Sequence, residues 1–79
     1  MENIIDKMKD NNFKMIMKDD YIYLENYKRL FILDEDLVKI KTNKKIIEIR
    51  GHNIKAKRLL YKELLIVGDI NQIEVTDET

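Results

Sequence analysis

The sequence predicts an all-β fold, a small antiparallel meander of six to seven short strands. Three observations carry that expectation. The chain of 79 residues holds thirteen isoleucines and three valines against a single alanine, a balance that suits pleated strands better than helix. Three runs alternate strictly between apolar and polar residues: Val38-Lys39-Ile40-Lys41, Ile47-Glu48-Ile49-Arg50 and Ile54-Lys55-Ala56-Lys57. The only two glycines, Gly51 and Gly68, each close an apolar or alternating run within a repeated Ile-x-Gly.

The elements follow in chain order. Residues 1–12 form a separate N-terminal segment, either a disordered stretch or a short helix with Ile4, Ile5 and Met8 at helical spacing. Residues 13–75 make the single β domain, with a first strand expected over Phe13–Met17. Tyr21–Glu25 and Arg29–Leu33 read as strands around Asn26-Tyr27-Lys28, and Asp34-Glu35-Asp36 as an acidic turn. Asn43-Lys44 is a two-residue turn in which asparagine tolerates positive φ. Gly51 and Gly68 are read as structural turns, Gly51 with His52 and Asn53, and Gly68 with Asp69. Leu64–Val67, apolar on both faces, reads as a strand buried between layers, followed by a last strand over Ile70–Val75. Residues 76–79 read as a frayed acidic tail.

Composition limits the possible functions. A chain of 9.5 kDa sits near the lower size limit for a self-sufficient core. It has no cysteine, so no disulfide and no thiolate metal site, in keeping with a cytoplasmic location. No window approaches the roughly 20 apolar residues that span a bilayer, and the N-terminus lacks the features of a secretory signal. A small domain without staples commonly gains stability by oligomerising. Its apolar sheet face must be covered. The candidates are the N-terminal segment, the Leu64–Val75 hairpin folded across, or a second protomer, and the hairpin with a partner chain is favoured.

Charge is the one asymmetric feature. Net charge is zero, yet residues 39–62 carry nine basic side chains and one acid, Glu48, leaving a net −8 on the remainder. Period two places Lys39, Lys41, Arg50, Lys55 and Lys57 on one sheet face, a candidate face for an anion or a partner. Such a face suits an acidic protein surface, another copy of the chain, or anionic lipid headgroups, with an ordinary solvated sheet face as the other reading. Nucleic acid is disfavoured, because residues 39–60 hold no aromatic side chain on which bases could stack.

The remaining motifs read as structural. His52 is the only histidine and has no ligand cluster around it, so it reads as a surface turn residue. The three acids at 34–36 read as a solvated loop, and neither glycine belongs to a phosphate-binding signature. Tyr21 and Tyr23 read as the polar-tipped rim of a small core, with an exposed interaction patch as the other reading. With no acid–base or nucleophile constellation, the chain is not expected to be an enzyme or to take a cofactor or metal.

The stretch from Tyr23 to Val75 resembles the YabP/YqfC family of sporulation proteins of endospore-forming Firmicutes. The resemblance is carried by Ile22-Tyr23-Leu24-Glu25-Asn26-Tyr27-Lys28 and by Asp34-Glu35-Asp36-Leu37-Val38-Lys39-Ile40-Lys41-Thr42. It continues in Ile49-x-Gly51-x-Asn53-Ile54, Leu59-Leu60, Glu63-Leu64 and Ile66-x-Gly68-x-Ile70-x-x-Ile73. The N-terminal segment is shorter than the family pattern, and the Lys- and Ile-rich composition resembles a clostridial proteome. The resemblance implies a structural role in the mother cell, in spore coat or envelope assembly, with other sporulation proteins or itself as partners. It implies no catalytic residues.

Overall fold

The structure, a computed structural model, describes residues 12–77. Six strands account for most of them: β1 (Lys14–Lys18), β2 (Tyr21–Glu25), β3 (Arg29–Leu33), β4 (Leu37–Lys41), β5 (Lys45–Leu60) and β6 (Glu63–Asp77). They form one antiparallel sheet in the order β1-β2-β6-β5-β4-β3. The fold is therefore all-β, as the sequence predicts. From β3 to β6 it is a meander, and the β1–β2 hairpin joins the far side of β6. The expected N-terminal helix or disordered segment lies outside the described residues, apart from Asn12.

Two expectations about chain direction are overturned. Gly51 and Gly68 do not reverse the chain: Gly51 lies inside the 16-residue β5 and Gly68 inside the 15-residue β6. Leu64–Val75 is accordingly one continuous strand and not a hairpin. The chain reverses instead at Tyr61-Lys62, where Lys62 takes the left-handed φ of 57° that the turn needs. The expected tail also begins later, since Thr76 and Asp77 still pair with Ile46 and Lys45.

What the glycines do is bend the sheet. A straight β5 would be about 50 Å long at the usual rise per residue, more than the 42 Å longest dimension of the molecule. Its two ends are bridged by the connector between β2 and β3. Asn26 N donates to Lys62 O (2.8 Å), beside the C-terminal end of β5, and Lys28 N donates to Lys41 O (2.7 Å), which pairs with Ile46 at the N-terminal end. Two residues reach only about 7 Å. The β5–β6 hairpin must therefore double back on itself.

The bend is built from register slips in the β5–β6 ladder, between Arg50 and Gly51, between His52 and Lys55, and between Ala56 and Arg58. Asn53 contributes a left-handed φ of 54°. The acidic turn holds the bend from the side: Gly51 N donates to Asp36 O (3.2 Å) and Ile54 N to Glu35 O (2.8 Å).

Bending divides the sheet into two layers. The front layer holds β1, β2, the first half of β6 and the second half of β5. The back layer holds β3, β4, the first half of β5 and the second half of β6. The pairing repeats between them. Ile22 opposes Ile66 and Leu24 opposes Leu64 in front, while Val38 opposes Ile49 and Ile40 opposes Ile47 behind. The repeated Ile-x-Gly is the sequence trace of this internal two-fold scheme. The eight side chains join in one buried cluster, closed by Ile54 at the bend and Tyr27 on the connector. The sheet thus covers its own apolar face within one chain, and the expected partner chain is not needed for the core.

Leu64 and Ile66 point into that core, whereas Leu65 and Val67 lie on the outer side and are half-buried. The expectation that this strand is buried on both faces holds for one face only.

Candidate interaction surface

The five cations expected to share a face are split by the bend. Lys39, Lys41 and Arg50 project from the outer side of the back layer, where their neighbours in β3, β4 and β5 alternate with core residues. Lys55 opposes Val67, and Lys57 lies with Val67 and Leu65 on the outer side of the front layer. Period two correctly places all five on the side of the sheet away from the core. Once the sheet folds over, its two outer sides face opposite ways, so they do not form one basic patch.

The back-layer cations are also engaged locally. Glu48 sits between Lys39 (3.7 Å) and Arg50 (2.7 Å). Lys39 and Arg29 both lie near the Phe31 ring, 6.0 and 5.9 Å from its centre. Lys41 Nζ donates to the Thr42 carbonyl (3.4 Å). This surface is a mixed mosaic of charge and ring, not a uniform cationic plane.

The outer side of the front layer carries an open depression of about 430 Å³ lined by Ile16, Tyr21, Tyr23, Lys57, Arg58, Leu65 and Val67. Its floor is apolar and its margin carries phenols and cations. The Tyr23 hydroxyl donates to the Glu63 carboxylate, with Glu25 Oε1 3.3 Å away. Glu63 also meets Arg58 (3.7 Å), and Glu25 meets Lys14 (3.8 Å). The hydrogen bond to Glu63 holds the Tyr23 phenol up to about 12, helped by burial and by the charge of Glu25. The phenol is therefore a proton donor locked to a carboxylate at neutral pH, suited to fixing the groove wall and not to proton transfer.

The raised Tyr23 pKa has a testable sign. The folded state retains this proton after the unfolded chain, with a phenol near 10, has lost it. The stabilisation is complete below pH 10 and lost as pH rises from 10 towards 12. Burial raises the Tyr27 phenol in the same direction. Urea unfolding followed across this range should show falling stability, and Tyr23→Phe should make the fall shallower.

The other aromatic and ionisable residues separate by role. Tyr27 is in the core, while Tyr21 and Tyr23 line the groove and Phe31 stands on the outside of the back layer, so the expected core rim does not form. His52 is exposed within β5 opposite Asp69 and is not a turn residue. Among the described residues no three His, Cys, Asp or Glu side chains come together as a metal site. No helix among them is long and apolar enough to cross a membrane.

Large apolar side chains are exposed along strand edges and at the hairpin tip. They are Ile16 and Met17 on β1, Phe31 on β3, Leu59 and Leu60 at the end of β5, Tyr61 in the turn, and Val75 on β6. Sequence reasoning missed the tip, because Leu59 and Leu60 carry no alternation to mark a strand end. Comparison with family models, curated proteins and solved structures finds no match for this chain.

Proposed function

We propose that this chain is a non-enzymatic structural module that works through self-association or contacts with other proteins in spore coat or envelope assembly. The observation that supports the interaction is the set of open strand edges studded with exposed apolar side chains. A sheet edge presents unpaired N–H and C=O groups to any strand that can align with it. A core completed within one chain leaves those edges as the interacting parts. The sporulation setting is supported by the ordered resemblance from Ile22 to Ile73, which includes both Ile-x-Gly elements, and with it a mother-cell location.

Sedimentation equilibrium at several concentrations tests the interaction: a mass rising with concentration is expected, and a monomer throughout would remove self-association. Deleting the gene in a spore-forming host that carries it tests the process. Spores with a defective coat or reduced resistance are expected, and normal spores would contradict the assignment. The split of Lys39, Lys41 and Arg50 from Lys55 and Lys57 speaks against a flat anion-binding face. Vesicles of phosphatidylglycerol should accordingly fail to retain the protein, and firm retention would favour a peripheral membrane role.

A further inference from the structure

We infer that copies of this chain join head to tail by pairing the basic free edge of β5 in one copy with the acidic free edge of β6 in the next. The inference deepens the self-association reading and rests on it.

The internal two-fold scheme gives the molecule two equivalent free edges besides the outermost strands. β4 pairs with β5 only over Ile46–Arg50, and the acidic turn takes Gly51 and Ile54, so from Lys55 to Leu60 the far side of β5 meets no strand among the described residues. β2 pairs with β6 only over Glu63–Val67, so from Asp69 to Asp77 the far side of β6 is likewise open. Residues 55–60 are all exposed, as are most of residues 69–77.

These two edges differ in charge. Residues 55–62 carry Lys55, Lys57, Arg58 and Lys62 and no acid, whereas residues 69–77 carry Asp69, Glu74 and Asp77 and no base. Arg58 is drawn to Glu63 and Asp77 to Lys45, but Lys55, Lys57, Asp69 and Glu74 make no ion pair among the described residues. Lysine on a strand edge is ordinarily a guard against pairing. Here it repels a like edge and attracts the oppositely charged one that the same molecule carries.

The outermost strands are protected differently. β1 is five residues long and flanked by Lys14 and Lys18, and β3 is five residues long and irregular between Leu30 and Ile32. The free edges of β5 and β6 are longer or more uniformly charged. A symmetric pairing, β5 with β5 or β6 with β6, would set like charges opposite one another. Charge therefore selects the unlike pair. Such a contact is heterologous and leaves a free basic edge at one end of the growing assembly and a free acidic edge at the other, giving a ring or an open filament. Leu59, Leu60 and Val75, exposed on these edges, would be covered at the junction.

Two reversed variants and their mixture test the pairing. Lys55→Glu with Lys57→Glu cancels the net positive charge of residues 55–62, and Asp69→Lys with Glu74→Lys makes both edges basic. Followed by sedimentation, each should weaken self-association by about tenfold or more, and an equimolar mixture should restore it. The milder Lys57→Gln and Glu74→Gln should each weaken association less and reduce its sensitivity to salt. Thermal melts confirm folding of each variant. Association that survives both reversals would overturn the edge assignment while leaving self-association intact. Folded variants that do not rescue each other would overturn the charge pairing. A wild-type chain that is monomeric at low salt would overturn both this inference and the self-association reading.

Discussion

Replacing Gly51 with alanine should destabilise the protein by about 2–4 kcal/mol, and replacing Gly68 should do the same. A Cβ at Gly51 would lie 1.9 Å from the Asp69 carbonyl oxygen, and one at Gly68 would lie 2.6 Å from the Asn53 carbonyl oxygen. Both obstacles are backbone atoms of the partner strand, so no side chain can swing aside and the two strands must part at the bend. Gly68 adds a φ of 137°, which L side chains rarely adopt. The whole stability of a chain this size is about 4–12 kcal/mol. Urea denaturation should therefore show either alanine variant close to unfolding, and a loss under about 0.5 kcal/mol would contradict the tight bend.

The second large effect concerns the core. Ile66→Ala and Ile49→Ala should each cost about 2–5 kcal/mol through lost burial and the cavity left behind. The two residues hold equivalent places in the repeated pairing, opposite Ile22 and Val38, and both are fully buried. Their losses should be similar. Leu59→Ala and Val75→Ala, on half-exposed edge positions, should stay within about 0.5 kcal/mol. A large cost at Ile66 with little at Ile49 would mean that the two layers do not share one core.

Much of this was legible in the sequence because strand parity is local. Alternation assigned Val38, Ile40, Ile47 and Ile49 to one side and Lys39, Lys41, Glu48 and Arg50 to the other, and the register agrees. Curvature was not legible. An Ile-x-Gly before Asn53 or Asp69 reads equally as a strand end or as a bend within a strand. The difference depends on whether the partner strand continues alongside, which is a long-range fact. That single ambiguity had two consequences: strands were divided that are continuous, and five cations on two opposed surfaces were gathered onto one. The charge imbalance was visible as a total, but its division into a basic and an acidic edge of the same hairpin required the fold. The groove was hidden for a similar reason. Tyr21 and Tyr23 share a face by parity, yet Lys57 and Arg58 reach the same surface only through a register slip between Ala56 and Arg58.

The bent hairpin connects the fold to the proposed assembly. Folding β5 and β6 over frees one half of each strand from its outer neighbour, and those halves carry opposite charge. The core is satisfied within the chain, so association need not rescue stability and can be governed by edge charge and therefore by salt.

Amide hydrogen exchange, measured residue by residue at low and high protein concentration, tests this account most directly. The outward-facing amides of Lys55–Leu60 and Asp69–Asp77 should exchange readily in dilute protein and become protected together as concentration rises. Protection of β2, β4 and the first halves of β5 and β6 should stay constant. Edge amides whose exchange is independent of concentration, or protection that grows at β1 or β3 instead, would contradict assembly through the two charged edges.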